Sequence, residues 1–109
     1  MPTYMLIMRA TEAALAASRE QDMESIITAM GQYNEALMTA DVMVGGDGLS
    51  DPSEGAVVAF GTAEPTVTPG AYGPAETLFN GYWTISVPTL DEAIAWAKRC
   101  PMGSGTALE

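Results

Sequence analysis

Val67-Thr-Pro-Gly-Ala-Tyr-Gly-Pro-Ala-Glu-Thr-Leu-Phe-Asn-Gly-Tyr-Trp-Thr-Ile-Ser-Val87 is the stretch whose reading decides the fold. Its first half is a loop, because Pro69, Gly70, Gly73 and Pro74 favour turns and keep the backbone out of regular ladders. Its second half, Gly81 to Val87, is rich in β-branched and aromatic residues and predicts a strand. A loop that delivers polar side chains beside a rigid strand is a usual place for a binding site. The working pocket is expected here.

Downstream, Thr89-Leu-Asp-Glu92 is a capping box, and Asp91 and Glu92 complement the dipole of the helix it opens. That helix runs through Ile94, Trp96 and Ala97 and stops before Pro101, with Lys98 and Arg99 in its last turn. Gly103 and Gly105 lead to a short final segment, and the terminal Leu108-Glu109 can be a cloning remnant rather than native sequence.

Upstream, Ala56 to Phe60 predicts a third strand, with Thr66 to Thr68 continuing that hairpin, and Ser50 to Gly55 a turn before it. Asp41 to Leu49 is a strand that breaks into glycines. Asp22 caps a long helix to about Ala40, in which Met23, Ile26, Ile27, Met30, Tyr33, Leu37 and Ala40 form one apolar stripe. Thr11 to Glu20 predicts a short helix or helical turn, and Thr3 to Arg9 a buried strand with Arg9 at its C-terminal edge. The order β-α-β-β-β-α-(β) implies an α+β domain, ferredoxin-like, with two main helices on one face of a mostly antiparallel sheet.

The 109 residues are enough for one compact domain, 1–109, and too few for two. An extended sheet with one open face would gain from dimerisation. Four Lys and Arg stand against 14 Asp and Glu, for a formal net charge of −10. That balance argues against nucleic acid and against anionic membranes as partners, and is explained by solubility. Cys100 is the single cysteine and histidine is absent. An intrachain disulfide, a Ser-His-Asp triad and a His-based zinc site are therefore excluded. The start of the chain lacks a basic region followed by an apolar run, and a cytoplasmic location is expected.

Tyr4-Met-Leu-Ile, Tyr33-Asn-Glu-Ala-Leu, Val42-Met-Val-Gly-Gly-Asp-Gly-Leu49, Gly81-Tyr-Trp-Thr-Ile, and Val87-Pro-Thr-Leu-Asp-Glu-Ala93 leading to Arg99-Cys-Pro101 stand in this order along the chain. Together they resemble the YCII-related, DGPF-type family over nearly the whole chain. The resemblance implies a ferredoxin-like fold that pairs into a dimeric α+β barrel, with a cleft between the sheet and the partner. In that family the loop before the aromatic strand carries an Asp-Gly-Pro-Phe-Ala-Glu run whose Asp is the proposed acid/base. Aligned on Gly81-Tyr82, this chain has Pro69 at the Asp position, Gly70 matching, and Tyr72 in place of the Phe. The family's acid/base chemistry does not carry over.

The candidate catalytic residues are Glu76, Asp47 and Tyr72. Glu76 is the only acid between Glu64 and Asp91, so it is the loop's only proton acceptor, unless it is simply a solvated carboxylate. Asp47 sits among glycines that allow close approach of a ligand or of the neighbouring loop, though an Asx-turn explains it equally well. Tyr72 can donate a hydrogen bond to a substrate oxygen or merely plug an apolar position. Arg9, Tyr33, Tyr82 and Trp83 are candidate substrate contacts. Tyr82 and Trp83 must point to opposite faces of one strand, with core packing expected for at least one of them. A strand-end arginine can hold a carboxylate or enolate, or instead pair with Glu12 or another surface acid. The carboxylates show no metal-ligand spacing, and neither a metal nor a cofactor is expected. The expectation is a metal-free enzyme, an isomerase, cyclase or lyase, acting by proton transfer on a hydrophobic, aromatic or polyketide-like metabolite. The alternative is a non-catalytic small-molecule-binding or accessory protein of the same fold.

Overall fold

The computed structural model describes residues 1–11, 13, 22–50, 52–74, 78–103 and 105–109. Residues 12 and 14–20 of the short helix expected at 11–20, and the loop carboxylate Glu76, lie outside the described residues. Within them the elements run β1 (Thr3–Ala10), α1 (Met23–Thr39), β2 (Met43–Gly48), a 3-10 turn (Pro52–Glu54), β3 (Ala56–Ala59), β4 (Thr66–Pro69), β5 (Gly81–Ser86), α2 (Leu90–Lys98) and β6 (Thr106–Leu108).

Four strands form the main sheet in the order β2-β5-β1-β6. Each pairs antiparallel with its neighbour. Strands β1 and β2 are therefore parallel to each other with β5 between them, and β5 and β6 are parallel with β1 between them. The chain makes two interleaved β-α-β crossovers, through α1 and α2, which is the ferredoxin-like arrangement. The α+β reading of the sequence holds.

The helix ends follow from local chemistry. Asp22 caps α1, its carboxylate accepting from Glu24 N at 3.2 Å and from the Ser25 hydroxyl at 2.8 Å. At the other end Asp41 adopts φ +59°, the left-handed conformation. Its N–H donates to the Met38 carbonyl at 3.0 Å, and Val42 N–H donates to Leu37 at 3.1 Å. Those two bonds are a Schellman closure, with Asp where glycine is usual. Thr89 caps α2, accepting from Glu92 N at 3.2 Å.

The core is one layer between the sheet and the helices. Leu6, Tyr33, Leu37, Trp83, Ile85, Val87 and Ala93 are buried, with Tyr4, Met8, Met30 and Trp96 packed around them. Leu37, Ile85 and Val87 are almost completely enclosed, each worth about 1.5–3 kcal/mol relative to exposure. The α1 stripe takes part through Met30, Tyr33 and Leu37. Met23 and Ile27 are 62% and 64% exposed.

Strands β3 and β4 pair with each other in a separate two-stranded sheet. This modifies the expected third strand: the hairpin forms, but detached from the main sheet. Pairing between β2 and β5 extends to Leu49, whose N–H donates to Asn80 O at 2.7 Å. The turn at Pro52–Glu54 then diverts the chain.

Trp83 explains why β2 contains glycine. Its indole N–H donates to Asn34 Oδ1 on α1 at 2.6 Å. A Cβ at Gly46 would lie 3.2 Å from Trp83 Cδ1 and 2.8 Å from the Tyr82 carbonyl oxygen. Backbone atoms cannot yield there without parting β2 from β5. Gly46→Ala is expected to cost about 1–3 kcal/mol, as overpacked sites do. That would lower the melting temperature by roughly 4–8 °C per kcal/mol. A denaturation midpoint equal to that of the wild type would show that the two strands admit a methyl group.

Candidate functional site

Alternation along β5 sorts its side chains. Gly81, Trp83 and Ile85 are buried while Tyr82, Thr84 and Ser86 are only half-buried. Trp83 and Ile85 pack under the helices, so Tyr82 and Thr84 point to the opposite, open face of the sheet. Directly opposed residues of neighbouring strands share a face, and the register builds that surface row by row. Asp47 faces Tyr82, and Tyr82 faces Ile7. In the next row Gly45 faces Thr84, which faces Met5. Glu109 extends the first row, exchanging backbone hydrogen bonds with Ile7 at 3.0 and 2.9 Å.

Arg9, two residues beyond Ile7 on β1, shares this face. Its Nε donates to Glu109 Oε1 at 3.1 Å and its Nη2 lies 3.0 Å from the same oxygen. Its guanidinium carbon stands 5.8 Å from the centroid of the Phe79 ring. Phe79 belongs to the loop that precedes β5, so that loop reaches the open face at this point. The Arg9 side chain is mostly covered and Glu109 mostly solvated, and such a pair is worth less than about 1 kcal/mol. Its value lies in orienting the guanidinium. Asp47 is exposed, and its Oδ1 accepts from Gly48 N–H at 2.9 Å. That contact turns the carboxylate along its own strand.

The structure thus brings Asp47, Tyr82 and Arg9 onto one surface. Tyr33 and Trp83 stand on the other side of the sheet, in the core. The Tyr33 hydroxyl donates to the Trp96 carbonyl at 2.8 Å, and its ring meets Trp83 edge-on at 5.2 Å and 82°. Of the three aromatic side chains expected to touch substrate, Tyr33 and Trp83 have their polar atoms satisfied within the protein. Tyr72 is 84% exposed, in the loop after Gly70, whose φ of +103° suits glycine. Among the described residues, no three Cys, Asp or Glu side chains converge as a metal-ligand set, and no helix is long and apolar enough to cross a membrane.

Several members of this surface escaped the reading of the sequence. Ile7 and Thr84 are assigned to it by register, which only the folded sheet supplies. Phe79 and Glu109 are distant from Arg9 in the chain, and no local pattern links either of them to it. On the helical side a separate open groove of about 480 Å³ lies between α1 and α2, lined by Gln32, Glu35, Thr39, Trp96 and Arg99. The Arg99 guanidinium stacks on Trp96 at 4.3 Å. Nearby, burial pushes the Cys100 thiol up to about 11, which leaves little thiolate at neutral pH.

Compared with known families, residues 2–108 match the model of the YCII-related domain. The comparison with curated proteins finds no match.

The core beneath the open face should report its own pH dependence. Burial first, and then the proximity of Cys100, raises the Tyr33 hydroxyl from 10.0 to about 12. Burial raises Cys100 from 9.0 to about 11. The unfolded chain gives up both protons at lower pH than the folded one, so stability present below pH 9 falls as pH rises toward 12. Tyr33→Phe should flatten the decline between pH 10 and 12 while costing about 1 kcal/mol at neutral pH for the lost hydrogen bond. Urea titrations across that range test it; parallel curves for variant and wild type would show that Tyr33 does not carry the effect.

Proposed function

Because this chain belongs to the YCII-related family, we propose that it pairs into a homodimer whose open sheet face binds a small hydrophobic metabolite. On that surface the protein performs metal-free proton transfer. The observation that carries this reading is the opposition of Asp47 and Tyr82 across β2 and β5, with Arg9 on the same face. Asp47 is the base. Tyr82 supplies both an aromatic surface and a hydroxyl donor, and Arg9 favours negative charge developing on a substrate oxygen, as in an enolate. Gly45, opposite Thr84, leaves room for a flat ligand to lie against the strands. Met5 and Ile7 give the surface its apolar character, which suits an aromatic or polyketide-like compound.

In a single chain Asp47 is exposed, and water there competes for every hydrogen bond it makes. A second copy laid over the open face would exclude that water and strengthen the electrostatics of the site. The chemistry is proton abstraction beside a carbonyl, leading to isomerisation, cyclisation or elimination. The non-catalytic alternative is favoured by Pro69 at the position of the family's loop acid, and it predicts binding without turnover.

Deuterium exchange separates the two. Aryl alkyl ketones incubated with the protein in D2O should incorporate deuterium next to the carbonyl faster than in buffer. Asp47→Asn should slow that exchange by about 100-fold or more, the usual contribution of a general base. Tyr82→Phe should weaken binding more than it slows exchange. Binding of these ketones with no exchange above buffer would establish the accessory role, and unaltered exchange in Asp47→Asn would remove Asp47 as the base.

A further inference from the structure

We infer that the β3–β4 hairpin is a dimerisation arm whose apolar face packs against a second copy of this chain. The inference rests on the pairing proposed above and adds a surface to it.

The register defines that face. Val58 opposes Val67 and Ala56 opposes Pro69. Alternation puts both pairs on one side of the ribbon, with Phe60, one residue past β3, in line with them. This side is wholly apolar, yet Val58, Val67 and Phe60 are 48%, 65% and 76% exposed. The other side carries Val57, Ala59, Thr66 and Thr68. The arm pairs with no strand of the main sheet, and an isolated two-stranded ribbon is marginal in water. A ribbon with one continuous apolar side gains its stability from something laid on that side.

Area and shape point to a second copy as the occupant. The chain exposes 7401 Å², whereas a compact monomer of 11.4 kDa exposes about 5,800 Å². The excess of roughly 1,600 Å² is what each subunit contributes to a permanent homodimer. The radius of gyration is 16.1 Å, against about 13 Å for a compact domain of this length. The molecule spans 47 × 38 Å but is only 19 Å thick, the depth of one helical and one sheet layer. The same chain offers a second apolar area in the open sheet face, where Met5 is 49% exposed. A two-fold pair buries each such surface twice. The net charge of −10 disfavours an anionic membrane or nucleic acid as the occupant.

Sedimentation velocity on the full chain, over a concentration series, tests the assignment. The wild type should be a dimer. Val58→Lys combined with Val67→Glu keeps an attractive cross-strand pair while removing the apolar face, and should raise the dissociation constant at least about tenfold. Phe60→Ser, outside the paired residues, should weaken the dimer in the same direction and serves if the double variant does not fold. Met5→Glu tests the sheet face separately. Loss of the dimer in Met5→Glu, with wild-type dissociation constants in folded arm variants, would overturn the arm and leave the pairing. A monomeric wild type throughout the series would overturn both.

Discussion

The position of Trp83 is the constraint on which the rest of the structure depends. Its indole must lie between β2 and α1, with its N–H donating to Asn34 and its ring edge-on to Tyr33. A large aromatic group fits there because Gly46 has no side chain, and the Tyr33 ring that meets it is itself anchored by its hydroxyl to the Trp96 carbonyl of α2. One residue thereby ties the edge strand to the first helix, and through Tyr33 to the second. An unpaired indole N–H in that layer would cost about 1–3 kcal/mol, so Asn34 is part of the same constraint.

Everything on the open face follows from the opposite side of β5. Once Trp83 is inward, Tyr82 is outward, since neighbours on a strand cannot share a face. The register then sets Asp47 and Ile7 beside it, and Arg9 follows two residues later. The ferredoxin-like order of strands places β1 and β5 at the centre of the sheet, so Arg9 and Tyr82 stand on central strands while Asp47 stands on the edge strand β2. Rigid strands hold side chains more narrowly than loops do, whereas Tyr72 stands 84% exposed on a loop.

The distribution of charge reinforces the asymmetry between the two faces. The chain has only 4 basic residues against 14 acidic ones. Arg9 is held on the open face by Glu109 and Phe79, while Arg99 is stacked on Trp96 at the end of α2. A fixed guanidinium in an acidic surround marks where an anionic group would be tolerated.

The sequence by itself determined the helices, their caps, the antiparallel α+β order and the family. These depend on short-range rules: Asp22 and Thr89 accept from their own first turns, Pro101 cannot continue a helix, and the aromatic run at Gly81 to Ser86 can only be a strand. It also determined that Tyr82 and Trp83 must part. Which of them turns inward was decided only by the tertiary structure, because alternation specifies opposite faces without specifying which face the helices cover. The same holds for Tyr33, legible as a stripe residue and equally as a substrate contact until its hydroxyl met Trp96. The detached β3–β4 ribbon and the meeting of Arg9 with Glu109 and Phe79 likewise join residues far apart in the chain. Such contacts arise from sheet register and layer packing, and no local pattern of residue types encodes them.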